Sequence, residues 1–548
     1  MVQKFDKPFS GKGTKKSIKA DIIILGCTLP GIVTAHKLKR RFGNTMDIVV
    51  LDLVGPQRSA SKCNVAFQAL DDETDKENNP DSQDDTTRQL VNNVAKYYLA
   101  KYAKEFSIPL PEVIITPEKV RSPLSKLFQH RNGQTVECAK DFHDFDYLSF
   151  VERFEMRQYQ TLLDQSMKNL FQTRADTKYE RMRLHYYDQT TMEKHICDAL
   201  LFSTSREIMR NTVRLVCGAP ASSVSVLFYL HQCHRTCGAR NHLDGDNTKF
   251  REKLLGYCRK RLANKLQQSI ADITLSAKSI TEIRTYSDEQ VVLETMKGET
   301  NYVCNLLAMA LRPDQLNTIQ VEGQLLSEQQ ADLTGSMKPG RAKKFAIQYE
   351  ENFWRKQGYS GDILSIRGPI IWAMEKPRMS GTGSSERYFS LIGYLKVRDD
   401  NIDSQEAVIE QLIKLFGDEA ATPVSYKERD VADLFIPRCG DFVALKTMTR
   451  DSTPKYLEWG ALDIFADGDV AAALEAGHTA YLNLLTCLRP QAMTFEDLST
   501  AEWPIVLNEK PLKRWLAHIN VISTMHFVVF TAALCIGVRL LRSYIRKS

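Results

Sequence analysis

Apolar positions along this chain come in two rhythms, short unbroken runs and 3.6-residue periods. Ile22-Ile23-Ile24-Leu25 is an unbroken run, as expected of a strand buried on both faces. Pro30 to Leu38 follows with a helical period, Pro30 standing where a first helical turn tolerates it. Ile48-Val49-Val50-Leu51 is a second strand run, closed by Asp52. Residues 86–230 read as mostly helical, with helices predicted over Leu90–Phe106 and Ile196–Cys217. Ile270–Leu311 reads as strands, alternating at Gln290–Glu294 and apolar at Tyr302–Leu307. Strand runs recur at Lys344–Tyr349, Ile370–Met374 and Tyr388–Val397. Glu406–Phe416 and Val470–Leu485 read as amphipathic helices, and no internal repeat is visible.

The last apolar run differs in kind. Ile519–Val538 holds 20 residues without Asp, Glu, Lys or Arg, long enough to span a bilayer as a helix. Lys510, Lys513 and Arg514 flank it on one side; Arg539, Arg542, Arg546 and Lys547 flank it on the other. Only Ser548 follows, so the layout predicts a tail anchor with the body left in the cytosol. A short, modestly apolar span with basic flanks suits the mitochondrial outer membrane, the endoplasmic reticulum being the alternative. A surface-lying or packed C-terminal helix is the other reading.

The charge distribution agrees with a membrane partner. The chain has 548 residues and net charge +6. Residues 1–20 carry six Lys against one Asp, and residues 510–548 carry seven Lys or Arg and no acid, so the body between is mildly acidic. That argues against a nucleic-acid partner. Met1–Ser10 has no apolar run behind its lysines, so no secretory signal is expected, and the 12 scattered cysteines read as free thiols in a reducing compartment. Composition is globular, at 43% apolar and 26% charged.

Strand, glycine turn, helix, strand and acid make a dinucleotide-binding βαβ unit over residues 21–52. Gly26 and Gly31 hold the first and third fingerprint positions; Thr28 holds the second, where a β-branched side chain crowds a pyrophosphate. A βαβ unit without a nucleotide is the alternative. Residues 71–85 carry eight acids and one Lys and read as a solvated insertion, with Lys76-Glu77-Asn78 resembling a degradation signal. His231, Cys233, His234, Cys237 and His242 cluster, but the spacing reads as helix-end residues rather than a zinc site, and no metal is expected. No Ser-His-Asp elbow, Walker loop or zinc-protease pattern occurs.

The order of parts resembles the flavin monoamine oxidases. The βαβ unit is followed by a helical middle with Ser223–Leu230, a strand ending in Phe353-Trp354, Cys439, a final helix with Ala471–Gly477, and a basic-flanked span. The resemblance implies an α/β, two-domain FAD-binding amine-oxidase fold, with a Rossmann-like dinucleotide domain and a substrate domain on a mixed sheet. On that pattern 1–19 is a basic extension; 20–95, 250–335 and 430–488 form the FAD domain; 96–249 and 336–429 form the substrate domain; 489–517 connects to a tail anchor at 518–541. It implies oxidation of an amine to an imine, with FAD reoxidised by O₂ and peroxide released. Homodimerisation is common in the family.

Carried over residue by residue, Gly26, Gly31, Asp52, Arg58, Gly460 and Cys439 would bind the cofactor, Cys439 by covalent attachment. Lys344 would hold a water near the flavin; its alternative is an exposed strand lysine beside Lys343 and Arg341. The chain departs from the pattern at several places. The Gly-Gly-Arg turn reads Gly55-Pro56-Gln57-Arg58, and the mid-chain glycine loop keeps only Gly256. The Gly-Thr-Glu turn reads Gly460-Ala461-Leu462. The two tyrosines that align the amine are replaced: Gly440 follows Cys439, and Ala466-Asp467-Gly468-Asp469 has no aromatic. Two readings follow. Either the protein is a monoamine-oxidase-like pseudoenzyme that binds another small molecule or a partner, or it is a divergent, active FAD-dependent amine oxidase.

Overall fold

A computed structural model describes residues 16–54, 94–108, 124–171, 178–235, 241–243, 257–278, 280–287, 290–295, 300–323, 325–376, 388–397, 404–432, 434–450, 455–465, 468–494, 497 and 521–545. Arg58, the acidic stretch 71–85, Cys237 and residues 251–256 of the mid-chain loop lie outside the described residues.

Two sheets organise the chain. The first has eight strands: β1 (Lys16–Leu25), β2 (Ile48–Val54), β5 (Thr274–Lys278), β6 (Ile280–Ser287), β7 (Gln290–Thr295), β8 (Thr300–Met309), β9 (Gln320–Val321) and β17 (Leu457–Glu458). Its order is β5-β2-β1-β8-β7-β6-β9, with β17 also on β8. The β5, β2, β1, β8 and β17 pairings are parallel, in register at Ile22↔Ile48 and Leu25↔Met309. Ile22 to Leu25 are fully enclosed, which is why that run is apolar on both pleat faces.

The second sheet joins β3 (Ser125–Gln129), β4 (Thr135–Cys138), β11 (Ala342–Tyr349), β12 (Tyr359–Ser365), β13 (Ile370–Glu375), β14 (Phe389–Leu395) and β15 (Ser425–Val431) in the order β15-β11-β14-β13-β12-β3-β4. It is antiparallel except where β12 meets β3. The mostly helical reading of residues 86–230 holds, with β3 and β4 as the strands among its described residues.

Helices cover the sheets. Against the first lie α1 (Leu29–Phe42), α2 (Val94–Glu105), α8 (Tyr257–Ser269) and α11 (Val470–Leu488). One face of the second carries α3 (Phe150–Phe171), α4 (Lys178–Gln189), α5 (Met192–Ala199), α6 (Ser203–Cys217) and α7 (Val226–Arg235). The other face carries α9 (Ser404–Phe416), which buries Val408, Leu412 and Leu415 at helical spacing. Phe353 and Trp354 are buried there too, and the Trp354 indole donates to Glu375 at 3.0 Å. Helix α10 (Phe442–Arg450) lies along the chain between β15 of the second sheet and β17 of the first, and α12 (Val521–Ile545) ends the described chain.

The single helix predicted over Ile196–Cys217 is two. The buried carboxylate of Glu155, on α3, accepts from the backbone N–H of Leu201 and Phe202, and Arg206 Nε donates to the carbonyl of Leu200 at 2.8 Å. A partner 45 or more residues upstream thus supplies the break.

Candidate active site

The turn after β1 is built by its own packing. Gly26 has φ +111°, where an L side chain is strained, and its N–H donates to the Leu51 carbonyl at 3.0 Å. A Cβ on Gly26 would lie 2.4 Å from the Ala310 carbonyl oxygen. One on Gly31 would lie 2.5 Å from the Ala310 Cβ and 2.7 Å from the Gly26 oxygen. Both glycines are therefore required to seat α1 on the end of β8. Thr28 caps α1 without a side-chain capping bond; its hydroxyl donates instead to the Ala310 carbonyl at 2.6 Å. Asp52 is half-buried near the end of β2. Gly477 of α11 meets the Pro30 carbonyl, a Cβ there falling 2.5 Å from that oxygen. The glycine turn, the start of α1 with its positive dipole end, and Asp52 thus lie together at the ends of β1 and β2.

Lys344 lies inside the protein, at 5% exposure, which overturns the reading as a surface lysine. It pairs across β11 with Tyr394 on β14 and Arg429 on β15, and its ammonium sits 5.5 Å from the Tyr394 ring centroid. Alternation settles its direction. Ala342 and Ala346 share its face and belong to the core beneath the helical layer, whereas Lys343 turns outward to pair with Glu428 at 3.0 Å.

Cys439 is half-buried in the loop before α10. Burial, and then the carboxylates of Asp188 and Asp441, push its thiol above the ordinary value, so the thiolate is disfavoured. Asp188 organises this loop: its carbonyl accepts from Gly440 N–H at 2.8 Å and its carboxylate from Val443 N–H at 3.1 Å. Gly440 has φ +97°, a conformation that a tyrosine would adopt only under strain. In the turn before α11, Asp469 accepts from Ala472 N–H at 3.0 Å, capping the helix. Its carboxylate lies 3.5 Å from Arg235 Nε, and Arg235 Nη1 lies 2.5 Å from Glu475. Asp469 and Gly440 thus stand where the resemblance puts the two tyrosines, one ion-paired and the other a backbone turn.

Gly460 is closed in by protein. Its N–H donates to the buried Glu458 carboxylate at 2.6 Å, which also accepts from Asn483 at 3.1 Å. A Cβ on Gly460 would come within 3.2 Å of the Thr449 carbonyl.

The structure gathers Gly26, Gly31 and Asp52 at the ends of β1 and β2, whereas Lys344 belongs to the second sheet and Cys439 and Gly460 to the loops around α10 and β17. Sequence reasoning passed over Arg235, Asp188 and Glu458. Only Arg235 had a signal, its neighbours His231, Cys233 and His234; among the described residues no group of three or more metal-binding side chains converges.

The residues allow a test against FAD, the cofactor of the family that the sequence resembles. Its adenosine end fits: a left-handed glycine turn, a helix start and an acid at a strand end. The flavin end does not: burial and two carboxylates disfavour the Cys439 thiolate, the Gly460 amide is occupied by Glu458, and neither Gly440 nor Asp469 offers a ring.

Comparison with known proteins agrees on the family. Residues 89–449 match the model of the flavin containing amine oxidoreductases. A protein of Dictyostelium discoideum named "Probable flavin-containing monoamine oxidase A" is 23% identical over 46% of this chain and 56% of its own length. The amine oxidase [flavin-containing] A of the dog, Canis lupus familiaris, is 22% identical over 47% and 49%. The chain thus spans about half the length of these curated relatives. Among solved structures, an engineered putrescine oxidase superposes with TM-score 0.64 at 13% identity, covering 86% of this chain and 100% of that one. Cyclohexylamine oxidase from Brevibacterium oxydans gives 0.60 at 16% identity, covering 85% and 99%; at such identities the likeness is one of fold. With more than half of its length matched by the family model, the chain belongs to the flavin-containing amine oxidoreductases, whose cofactor is FAD.

Proposed function

We propose that this protein is a tail-anchored member of the family in which amine oxidation has been lost and the fold serves binding. One observation carries the reading: Asp469, in the turn where the resemblance puts an amine-aligning tyrosine, is committed to Arg235 and to capping α11. A salt-bridged carboxylate cannot flank an amine as an aromatic wall does. The disfavoured Cys439 thiolate and the occupied Gly460 amide support the same reading. The domain division set out from the sequence belongs to this proposal, the first sheet and its helices forming the cofactor domain and the second the substrate domain. So does the anchor. Ile522–Leu540 is long and apolar enough to cross a membrane, and none of it is buried against the rest of the chain. Its basic flanks favour the mitochondrial outer membrane over the endoplasmic reticulum.

The test is the visible absorption spectrum of the purified protein, incubated with excess FAD, before and after acid precipitation. No flavin bands, or bands released to the supernatant without peroxide release from amines, agree with lost oxidation. Flavin that stays with the pellet means a covalent bond to the protein and sinks the reading.

A second reading, an active and divergent FAD-dependent amine oxidase, draws on one specific observation. Lys344 is buried in the sheet under Tyr394, where a purely solvated lysine has no reason to be. On that reading Lys344→Met abolishes peroxide release while leaving the thermal midpoint little changed.

A further inference from the structure

Helix α10, helix α7, Leu184 of α4, the end of α3 and Glu475 of α11 line a half-open cavity of about 560 Å³. Pockets for small organic ligands run from roughly 300 to 1,000 Å³. Its wall is aromatic. The Phe171 ring lies 5.1 Å from His234 and 5.7 Å from His231, and His231 lies 5.1 Å from Phe442. Lys446 extends into the same space, its ammonium 5.6 Å from the Phe171 centroid.

Among the described residues, the charges around this cavity do not balance. Arg235 is answered by Asp469 and Glu475. Lys446 and Arg450 stand one helical turn apart, and neither forms an ion pair with a carboxylate among the described residues. Three cations thus meet two carboxylates before either imidazole takes a proton. Burial, and then Arg235 and Arg450, push the Lys446 ammonium down to about 8 against the pull of Glu475. A partly buried ammonium with more cations than carboxylates around it is costly, and an anion beside it removes that cost. A protonated amine would meet Lys446 and Arg450 with like charge.

We infer that this cavity binds a small aryl carboxylate, its carboxylate held by Lys446 and Arg450 and its ring packed on Phe171 and Phe442. This ligand class is opposite in charge to the family's amines. The inference rests on the reading that amine oxidation is lost, since it gives the altered junction beside Asp469 a ligand of its own.

The test uses the full-length protein in neutral detergent and two fluorinated probes of one shape, 4-fluorophenylacetate and 4-fluorophenethylamine, followed by ¹⁹F NMR. The carboxylate should bind saturably and the amine should not. Lys446→Met should weaken the carboxylate about tenfold or more, as loss of a charge-assisted hydrogen bond does. Arg450→Gln, an exposed change that keeps the fold, should weaken it less. Affinity should fall as pH rises through about 8, where Lys446 loses its proton. Equal or tighter binding of the amine, or carboxylate affinity unmoved by both variants, overturns the inference. So does displacement of the carboxylate by FAD, which would assign the cavity to the cofactor. Peroxide release from amines is measured in parallel. Failure of the probe without peroxide sinks this inference alone; peroxide release sinks the reading beneath it.

Discussion

The turn at Gly26–Gly31 and the junction around Cys439, Asp469 and Arg235 belong to two ends of one implied site, and they have kept their family character unequally. At the turn, each retained glycine touches protein: Ala310 leaves no room for a Cβ at either position. The fold itself demands them, with or without a nucleotide. At the junction, the residues that would touch a flavin or an amine have no such duty to the fold. There Asp469 and Arg235 have formed an ion pair, and Gly440 has taken a left-handed turn. A surviving fingerprint glycine therefore testifies to packing first and to cofactor second, whereas a lost cage residue testifies directly to function.

The comparison can be broken most forcefully at the turn. Gly26→Val should cost about 4 kcal/mol in chemical denaturation, from backbone strain and overpacking together. A cost below about 1 kcal/mol would mean that the turn is not held by Ala310. At the junction, Arg235→Met leaves Asp469 and Glu475 without their cation and should cost about 3 kcal/mol, near the low end for a broken buried pair. The double variant with Asp469→Asn should recover part of that loss, which a double-mutant cycle reads directly.

A third change separates the scaffold of the turn from its chemistry. Glu105 clamps α2 onto α1 through His36 at 2.9 Å, Lys37 at 3.5 Å and Arg40. Burial raises its carboxyl, but those partners outweigh burial and hold it at about 2. Its unfolded value is about 4.3, so the stabilisation of about 2–3 kcal/mol is complete above that pH and lost as pH falls toward 2. Glu105→Gln should therefore destabilise at pH 7 by roughly that amount and match the parent near pH 2. The smallest effect is expected at Thr28. Thr28→Gly removes the hydroxyl bond to Ala310 at a cost of about 1 kcal/mol, and should raise affinity for ADP in calorimetry by opening the second fingerprint position.

Much of the scaffold was legible because its determinants are local. The run Ile22–Leu25, the helix after Pro30 and the alternation at Gln290–Glu294 each carry their own period, and each became the element expected. The break at Leu200–Phe202 was not legible, since the carboxylate that makes it comes from Glu155 on another helix. Lys344 was ambiguous for a related reason. Its neighbours Lys343 and Arg341 suggest a surface run, and only the pleat sends Lys343 out to Glu428 and Lys344 in under Tyr394. At the site, Gly26, Gly31 and Asp52 were found by spacing. Arg235, Lys446 and Glu475 were not, because they stand on three helices far apart in sequence that only the fold brings to one cavity.

The most direct measurement of the central claim is peroxide release by the full-length protein, supplied with FAD, across primary, secondary and tertiary amines. The account predicts no release above the protein-free rate for any of them. Release that depends on an amine and disappears in Lys344→Met would contradict it, and would make the junction at Asp469 an altered amine site rather than a lost one.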